Sequence, residues 1–129
     1  MLIPKKLLSR KDEITGDFLN LMEKHIVALM DGRDAKRYSA TDYGALLFIH
    51  PRHLTNTLRL TTGKSTCDFM EERIVAEAIK LLLETNMPIA EIGYRFAYDD
   101  ATNFTKFFKG MTGSTPLQYR KKNKLVPEN

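Results

Sequence analysis

Residues 53–66, HLTNTLRLTTGKST, and residues 103–116, NFTKFFKGMTGSTP, follow one pattern twice at an offset of 50 positions. In each copy, apolar residues are interleaved with polar ones at helical spacing, and a threonine and a glycine close the run. The matched pairs are Leu54 and Phe104, Thr55 and Thr105, Asn56 and Lys106, Leu58 and Phe108, Arg59 and Lys109, Thr62 and Thr112, and Gly63 and Gly113. Self-similarity at a fixed offset indicates a duplicated structural unit.

Each copy has the form of a short helix, a tight turn and a second helix. In the first copy, Pro51 suits the first turn of the second helix, and Gly63 suits the residue just past its end. In the other copy, Asp100 offers an N-cap to the second helix, and Gly113 follows its end. The repeat therefore predicts helix-turn-helix architecture, twice.

The remaining sequence is also helical in pattern. No stretch shows sustained two-residue alternation of apolar and polar residues, so we expect an all-α fold of about seven helices. The expected helices cover 17–30, 41–48, 51–62, 65–85, 89–96 and 101–111, and a capping box at residues 115–118 opens the last one. The expected division is an N-terminal arm or interdomain linker over 1–16, a first helix-turn-helix subdomain over 17–64, a linker helix over 65–85, a second subdomain over 86–124 and a tail over 125–129.

Charge is distributed unevenly along the 129 residues, whose formal net charge is +4. Residues 1–64 carry 11 basic and 7 acidic side chains, residues 65–100 carry 3 and 8, and residues 101–129 carry 6 and 1. Two basic segments thus flank an acidic one, a distribution that produces patches attractive to polyanions.

Several classes of protein are excluded by composition. The single cysteine, Cys67, rules out an intramolecular disulfide framework. No apolar run approaches the roughly 20 residues that a bilayer-spanning helix needs, and the charged N-terminus with its proline does not resemble a signal peptide. We therefore expect a cytoplasmic protein.

The second helix of each copy carries a polar face opposite an apolar one. At about 100° per residue, the outward residues are Arg52, Thr55, Asn56 and Arg59 in one copy and Thr102, Thr105, Lys106 and Lys109 in the other. The opposite faces carry Leu54, Thr57, Leu58 and Thr61, and Phe104, Phe107, Phe108 and Met111. Arginine and lysine recognise guanine and phosphate, asparagine recognises adenine, and threonine contacts thymine methyl groups or phosphate. Any amphipathic helix has a polar outer face, but two matched faces favour recognition of nucleic acid.

Residues 89–121, IAEIGYRFAYDDATNFTKFFKGMTGSTPLQYRK, resemble the DNA-binding domain of the AraC/XylS family of bacterial transcription regulators. The signature positions are occupied by Phe104, Phe108, Lys109, Gly113, Pro116, Tyr119 and Arg120. Residues 71–85, EERIVAEAIKLLLET, resemble the family's linker helix, and the resemblance extends over about 38–122. It implies a seven-helix unit whose two recognition helices enter successive major grooves of double-stranded DNA. A linker of about 20 residues spans on the order of 30 Å, close to the roughly 34 Å between successive groove faces.

The resemblance also assigns site residues. It implies base contacts by Arg52, Thr55, Asn56, Thr102, Asn103 and Lys106, and it places Arg59 and Lys109 at positions suited to phosphate contacts. From the basic run near the C-terminus we also expect phosphate contacts by Arg120 and Lys121, with a solvated basic tail as the alternative. The sequence departs from the family's pattern at the two turns. Phe48 and Ala97 stand where the family has a turn glycine, His50 replaces a serine-like N-cap, and Gly44 and Gly93 replace alanine.

Family members use further partners, which the resemblance implies here as well. These are RNA polymerase and an upstream effector-binding or dimerisation domain, for which this chain has no room. The residues IPKKLLSRKDE at 3–13 resemble an interdomain linker, which favours a fragment of a longer regulator over a stand-alone one.

Other functions are less well supported by the sequence. His25, His50 and His53 are not spaced as a metal site with Cys67, and no catalytic motif accompanies them, so neither an enzyme nor a cofactor is indicated. An alternative is a helical protein-interaction module without DNA binding, but that function requires apolar outer faces. An alkyl-acceptor repair protein that uses Cys67 would need companion cysteines.

Overall fold

A computed structural model describes residues 9–124, which contain seven helices and no strand. The helices are α1 (Arg10–Asp31), α2 (Ala40–Leu47), α3 (Pro51–Thr62), α4 (Thr66–Glu84), α5 (Ile89–Arg95), α6 (Ala101–Thr112) and α7 (Pro116–Asn123). The expected all-α fold is confirmed. The expected tail over 125–129, and the expected arm as far as residue 8, lie outside the described residues.

Helix α1 begins seven residues earlier than the sequence pattern predicts, at Arg10 and not at Asp17. Ser9 caps it: the Asp12 backbone N–H donates to the Ser9 hydroxyl oxygen at 3.2 Å, and that hydroxyl donates to the Asp12 carboxylate at 2.8 Å. Side-chain oxygens at this position satisfy N–H groups that have no partner within the helix. The expected arm is therefore helical over 10–16.

The described residues form two compact units. The first contains residues 9–27 and 38–71, and the second contains 28–37 and 72–124. Each of the two long helices, α1 and α4, therefore contributes to both units. The division expected from sequence instead assigns 65–85 to a separate linker helix.

The first unit has an aromatic core built by α1, α2 and the start of α4. The Phe18 ring meets the Tyr43 ring edge to face at a centroid distance of 4.9 Å. The buried His25 ring stacks on Tyr38 at 3.6 Å, and its Nε2 accepts the Tyr38 backbone N–H at 3.0 Å. Burial of apolar side chains is the main contribution to the stability of this unit. For a side chain such as Phe18, burial stabilises the fold by about 1.5–3 kcal/mol relative to exposure to water.

The core of the second unit is formed by α4 to α7. Phe96, Phe104 and Phe108 are fully buried, as are Ile92 and Leu82. The rings of Phe104 and Phe108 lie 6.0 Å apart, and Phe108 meets the Tyr119 ring edge to face at 5.5 Å. The packing of Tyr119 holds α7 against α6.

Each helix-turn-helix contains one glycine at a tight contact. A Cβ added to Gly44 would lie 2.8 Å from the Ile49 carbonyl oxygen, and one added to Gly93 would lie 2.9 Å from Cβ of Phe104. Real Cβ atoms essentially never approach so closely. Glycine in place of the family's alanine therefore avoids a steric clash at this position in both copies.

Candidate nucleic-acid interface

The turns of the two helix-turn-helix motifs adopt the same unusual backbone conformation. Phe48 has φ 59° and Ala97 has φ 65°, both in the left-handed region that favours glycine. Phe48 lies four positions after Gly44, and Ala97 lies four positions after Gly93, so the two glycines occupy paired positions in the repeat. The turn geometry is thus kept in both copies although neither has the family's turn glycine.

Side-chain caps fix the beginning of both second helices. The His50 Nδ1 accepts the Arg52 backbone N–H at 3.0 Å, so this histidine takes the place of the serine-like cap that the family uses. The Asp100 carboxylate accepts the Asn103 backbone N–H at 2.7 Å, as the sequence predicts. Gly63 and Gly113 end the helices with φ 78° and 85°. The predictions that Asp100 caps α6 and that Gly63 and Gly113 follow the two helix ends are confirmed.

Helix α3 presents the predicted polar face. Arg52, Asn56 and Arg59 are exposed and Thr55 is half-buried, whereas the opposite side of the helix buries Leu54, Thr57 and Leu58. Thr61, which the sequence places on the opposite face, is exposed, and its hydroxyl shares a 2.7 Å hydrogen bond with Thr15 of α1. The helix is thereby held to the first unit by its apolar side and its last turn, which leaves the polar face open to solvent.

Helix α6 repeats this arrangement. Its exposed residues include Thr102, Asn103, Lys106 and Lys109, and Thr105 is half-buried. On the other side Phe104 and Phe108 are fully buried, and the half-buried Phe107 stacks on Tyr98 at 5.4 Å. The prediction that Met111 points inward is wrong, because the residue is 40% exposed.

Both polar faces carry cations and no acidic residue of their own helix. Each helix carries two exposed cations, Arg52 and Arg59 on α3 and Lys106 and Lys109 on α6, and neither helix contains an acidic residue. Such a face attracts phosphate, and its arginine and lysine groups also donate to guanine.

Arg120 does not fit its predicted role as a phosphate contact. The residue is only 9% exposed, and its Nε donates to the Leu82 carbonyl oxygen at 2.9 Å, with longer bonds to the carbonyl oxygens of Leu81 and Thr85. The guanidinium thus satisfies carbonyls at the C-terminal end of α4, where the helix dipole favours a cation. Burial lowers the pKa of Arg120 from its ordinary value. Its neighbour Lys121 is exposed.

The structure also shows what the other singled-out side chains do. Cys67 is exposed, and its thiol donates to the Glu71 carboxylate at 3.4 Å. Among residues 9–124, no cluster of three or more histidine, cysteine, aspartate or glutamate side chains could hold a metal ion. Within the same range, no helix combines the length and apolarity that crossing a membrane requires.

Two further features of the structure were not predicted from the sequence. Ser9 and Asp12 form a recognisable capping pattern three positions apart, which was a signal for the start of α1. Arg37, in the polar segment between α1 and α2, contacts the turn of the second helix-turn-helix motif. Its partner Phe96 is 59 positions away, so local sequence contains no signal for the contact.

Two helix-turn-helix motifs in one chain, each presenting an exposed cationic helix, define a DNA-binding domain. A family model described as a helix-turn-helix domain matches residues 43–122, well over half of the chain. The chain belongs to the AraC/XylS family of bacterial transcription regulators.

Two relatives show the range of similarity. The arabinose operon regulatory protein of Escherichia coli is 33% identical over 72 residues, which are 56% of this chain and 25% of that protein. The transcriptional activator AarP of Providencia stuartii is 26% identical over 103 residues, 80% of this chain and 76% of that protein. The aligned part therefore covers about a quarter of the arabinose regulator and about three quarters of AarP.

Solved structures have the same fold. The C-terminal domain of AraT, a response regulator from Geobacillus stearothermophilus, superposes with a TM-score of 0.80 and 25% identity over 94% of both chains. The DNA-binding domain of AdpA, solved in complex with a target DNA, superposes with a TM-score of 0.63 and 19% identity over 77% of this chain and 89% of that one.

Proposed function

We propose that this domain recognises a specific site on double-stranded DNA by inserting α3 and α6 into successive segments of the major groove, and that it thereby regulates transcription. The observation that carries the proposal is the match between the two helices. Each is capped at its first turn, buries an apolar side, and exposes arginine or lysine together with asparagine, beside a threonine that is half-buried on α3 (Thr55) and exposed on α6 (Thr102). Recognition helices need this chemistry to read base edges.

The proposed base-reading residues form two sets of three. They are Arg52, Thr55 and Asn56 on α3, and Thr102, Asn103 and Lys106 on α6. Five of the six are exposed and lie in the first two turns of their helix, the part that reaches base edges in helix-turn-helix complexes. The half-buried Thr55 retains an accessible part for a methyl or phosphate contact.

The proposed phosphate contacts are Arg59, Lys109 and Lys121. Arg59 and Lys109 lie one turn beyond the base-reading residues of their helices, and Lys121 is exposed on α7. Because each phosphate contact releases condensed counterions, affinity should fall steeply with salt concentration. Arg120 is withdrawn from this set because its guanidinium is committed to α4.

We also propose that the domain acts together with partners outside the aligned region. The chain aligns with only 25% of the arabinose operon regulatory protein, which is consistent with partners that this domain does not supply. We propose that these are RNA polymerase and an upstream effector-binding or dimerisation domain, acting in the bacterial cytoplasm where promoter DNA lies. The activity proposed for the domain itself is binding without catalysis.

The test is selection of binding sites from random duplex DNA. The proposal predicts enrichment of an asymmetric sequence with two separate conserved segments, because two non-identical helices read it. Affinity for the selected duplex should fall about as the third power of salt concentration or more steeply, given three or more phosphate contacts. Absence of enrichment, together with binding that does not depend on salt, would overturn the proposal.

A further inference from the structure

Arg37 contacts the turn between α5 and α6 in two ways. Its Nη1 donates to the Phe96 carbonyl oxygen at 2.8 Å, and its guanidinium carbon lies 4.1 Å from the centroid of the Tyr98 ring. Both partners belong, like Arg37, to the second unit. A planar guanidinium is suited to stacking on an aromatic face while its N–H groups donate sideways.

The Tyr98 ring connects this contact to α6. It stacks on Phe107 at a centroid distance of 5.4 Å with an interplanar angle of 28°, and it lies 5.6 Å from the ring of Phe104. Phe104 is fully buried in the second unit, and both phenylalanines belong to α6. A continuous series of ring contacts therefore runs from the Arg37 guanidinium to the inner face of α6.

The turn itself is conformationally costly. Ala97 has φ 65°, in the left-handed region where a non-glycine residue is strained. Backbone bonds to the carbonyl oxygens of Gly93 and Tyr94 satisfy the N–H groups of Phe96, Ala97 and Tyr98. The Phe96 carbonyl oxygen takes its hydrogen bond from Arg37. Arg37 thus offsets part of the cost of a conformation that glycine would adopt freely.

We propose that Arg37 is a positioning residue for DNA recognition: it fixes the α5–α6 turn and so holds α6 in the orientation that discriminates between bases. The inference rests on the proposed function of α6. Base discrimination needs side chains placed to within about 0.5 Å, so a loosened turn weakens discrimination more than it weakens phosphate contacts.

The experiment measures binding of the selected duplex and of a series of single base-pair substitutions across it. The proteins are the wild type, R37A, R37K and the matched control R33A, which removes a neighbouring exposed arginine from the same segment. K106A identifies the part of the site read by α6. Binding is measured at a temperature below the onset of unfolding of every variant, as monitored by circular dichroism. Hydrogen exchange of the Phe104 backbone amide reports on the local stability of α6.

For R37A we expect a roughly three- to tenfold loss of base discrimination in the α6 part of the site, from one lost hydrogen bond and one lost cation–π contact. Discrimination in the other part should stay within about twofold of wild type. R37K keeps the charge and a donor but not the planar stack, and should give an intermediate loss. R33A should leave the pattern unchanged.

The other possible results distinguish failure of the role of Arg37 from failure of the proposed function. If wild type discriminates in two parts of the site but R37A weakens both equally, or neither, the role assigned to Arg37 is wrong while the proposed function stands. If R33A reproduces the loss seen for R37A, the effect is one of charge and the positioning role is overturned. If wild type shows no discrimination by α6, the proposed function itself fails.

Discussion

Phe48 and Ala97 hold the same left-handed backbone conformation at corresponding turns, with φ angles of 59° and 65°. Phe48 is 93% exposed, so packing of its ring does not compensate for the conformation. In both turns, backbone N–H groups donate to carbonyl oxygens of the preceding helix, among them those of the paired glycines Gly44 and Gly93. The hydrogen bonds of the turn and the helices that follow impose the conformation on residues that do not favour it.

The first prediction concerns these turns. F48G should raise the free energy of unfolding by about 0.5–1 kcal/mol, because relief of left-handed strain exceeds the entropy that glycine adds to the unfolded chain. F48A is the matched control, since it removes the ring but keeps the Cβ that causes the strain. The measurement is denaturant unfolding of all three proteins. A lower stability of F48G than of F48A would contradict the strain argument.

The second prediction concerns the tight helix contacts. G44A and G93A should each lower the free energy of unfolding by about 1–3 kcal/mol, because the added methyl group meets the Ile49 carbonyl oxygen or the buried Phe104 side chain. In G110A, whose Cβ would meet nothing within 4 Å, the same change should stabilise by about 0.5–1 kcal/mol. Thermal unfolding distinguishes the two signs. Equal shifts for G93A and G110A would show that the close approach of α5 and α6 at Gly93 has no effect on stability.

The third prediction separates two neighbouring cations. R120L should lower the free energy of unfolding by about 2 kcal/mol, because carbonyls at the end of α4 lose a charged donor. K121A should leave stability within about 0.5 kcal/mol and reduce the salt slope of DNA binding by about 1. Unfolding and salt titration are measured on both variants. A reduced salt slope for R120L at unchanged stability would restore Arg120 as a phosphate contact.

The fourth prediction concerns pH. Hydrogen bonds from the backbone N–H and the hydroxyl group of Ser65 lower the pKa of Asp68 at the start of α4. A lowered pKa in the folded state means that the carboxylate stabilises the fold above the ordinary aspartate pKa of about 3.9 and loses this effect as pH falls through the lowered value. D68N should therefore melt below wild type at pH 7. The difference should shrink when both proteins are measured under acid conditions.

A difference that stays constant with pH would show that the charge of Asp68 is not responsible. D12N offers a comparison at another helix start, because the Asp12 carboxylate accepts the Ser9 hydroxyl and the Asp12 backbone N–H donates to that hydroxyl at α1.

Much of the fold, and which face of α3 and of α6 is polar, was predictable because the signals are local. Pro51, Gly63, Asp100 and Gly113 mark helix ends through their own backbone and capping preferences, and the structure places the ends there. The polar faces follow from helical periodicity alone. The exposure of Met111 did not follow, because periodicity assigns a residue to a face but does not show how much of that face near the helix end is covered.

The roles of Arg37 and Arg120 were not predictable for a different reason. Their acceptors lie 59 and 38 positions away in sequence, so the contacts depend on tertiary packing. Arg120 also sits in a basic run, Arg120 to Lys122, in which charge alone indicates a solvent-exposed cation. Only its burial against α4 distinguishes it from Lys121.

The most direct measurement of the central claim is a binding profile of R52A and K106A over all single base-pair substitutions of the selected site. If α3 and α6 each read their own segment, R52A should lose about 1–3 kcal/mol of discrimination in one segment and K106A a similar amount in the other. Profiles that remain identical to wild type, or that flatten over the same base pairs in both variants, would contradict recognition by two separate helices.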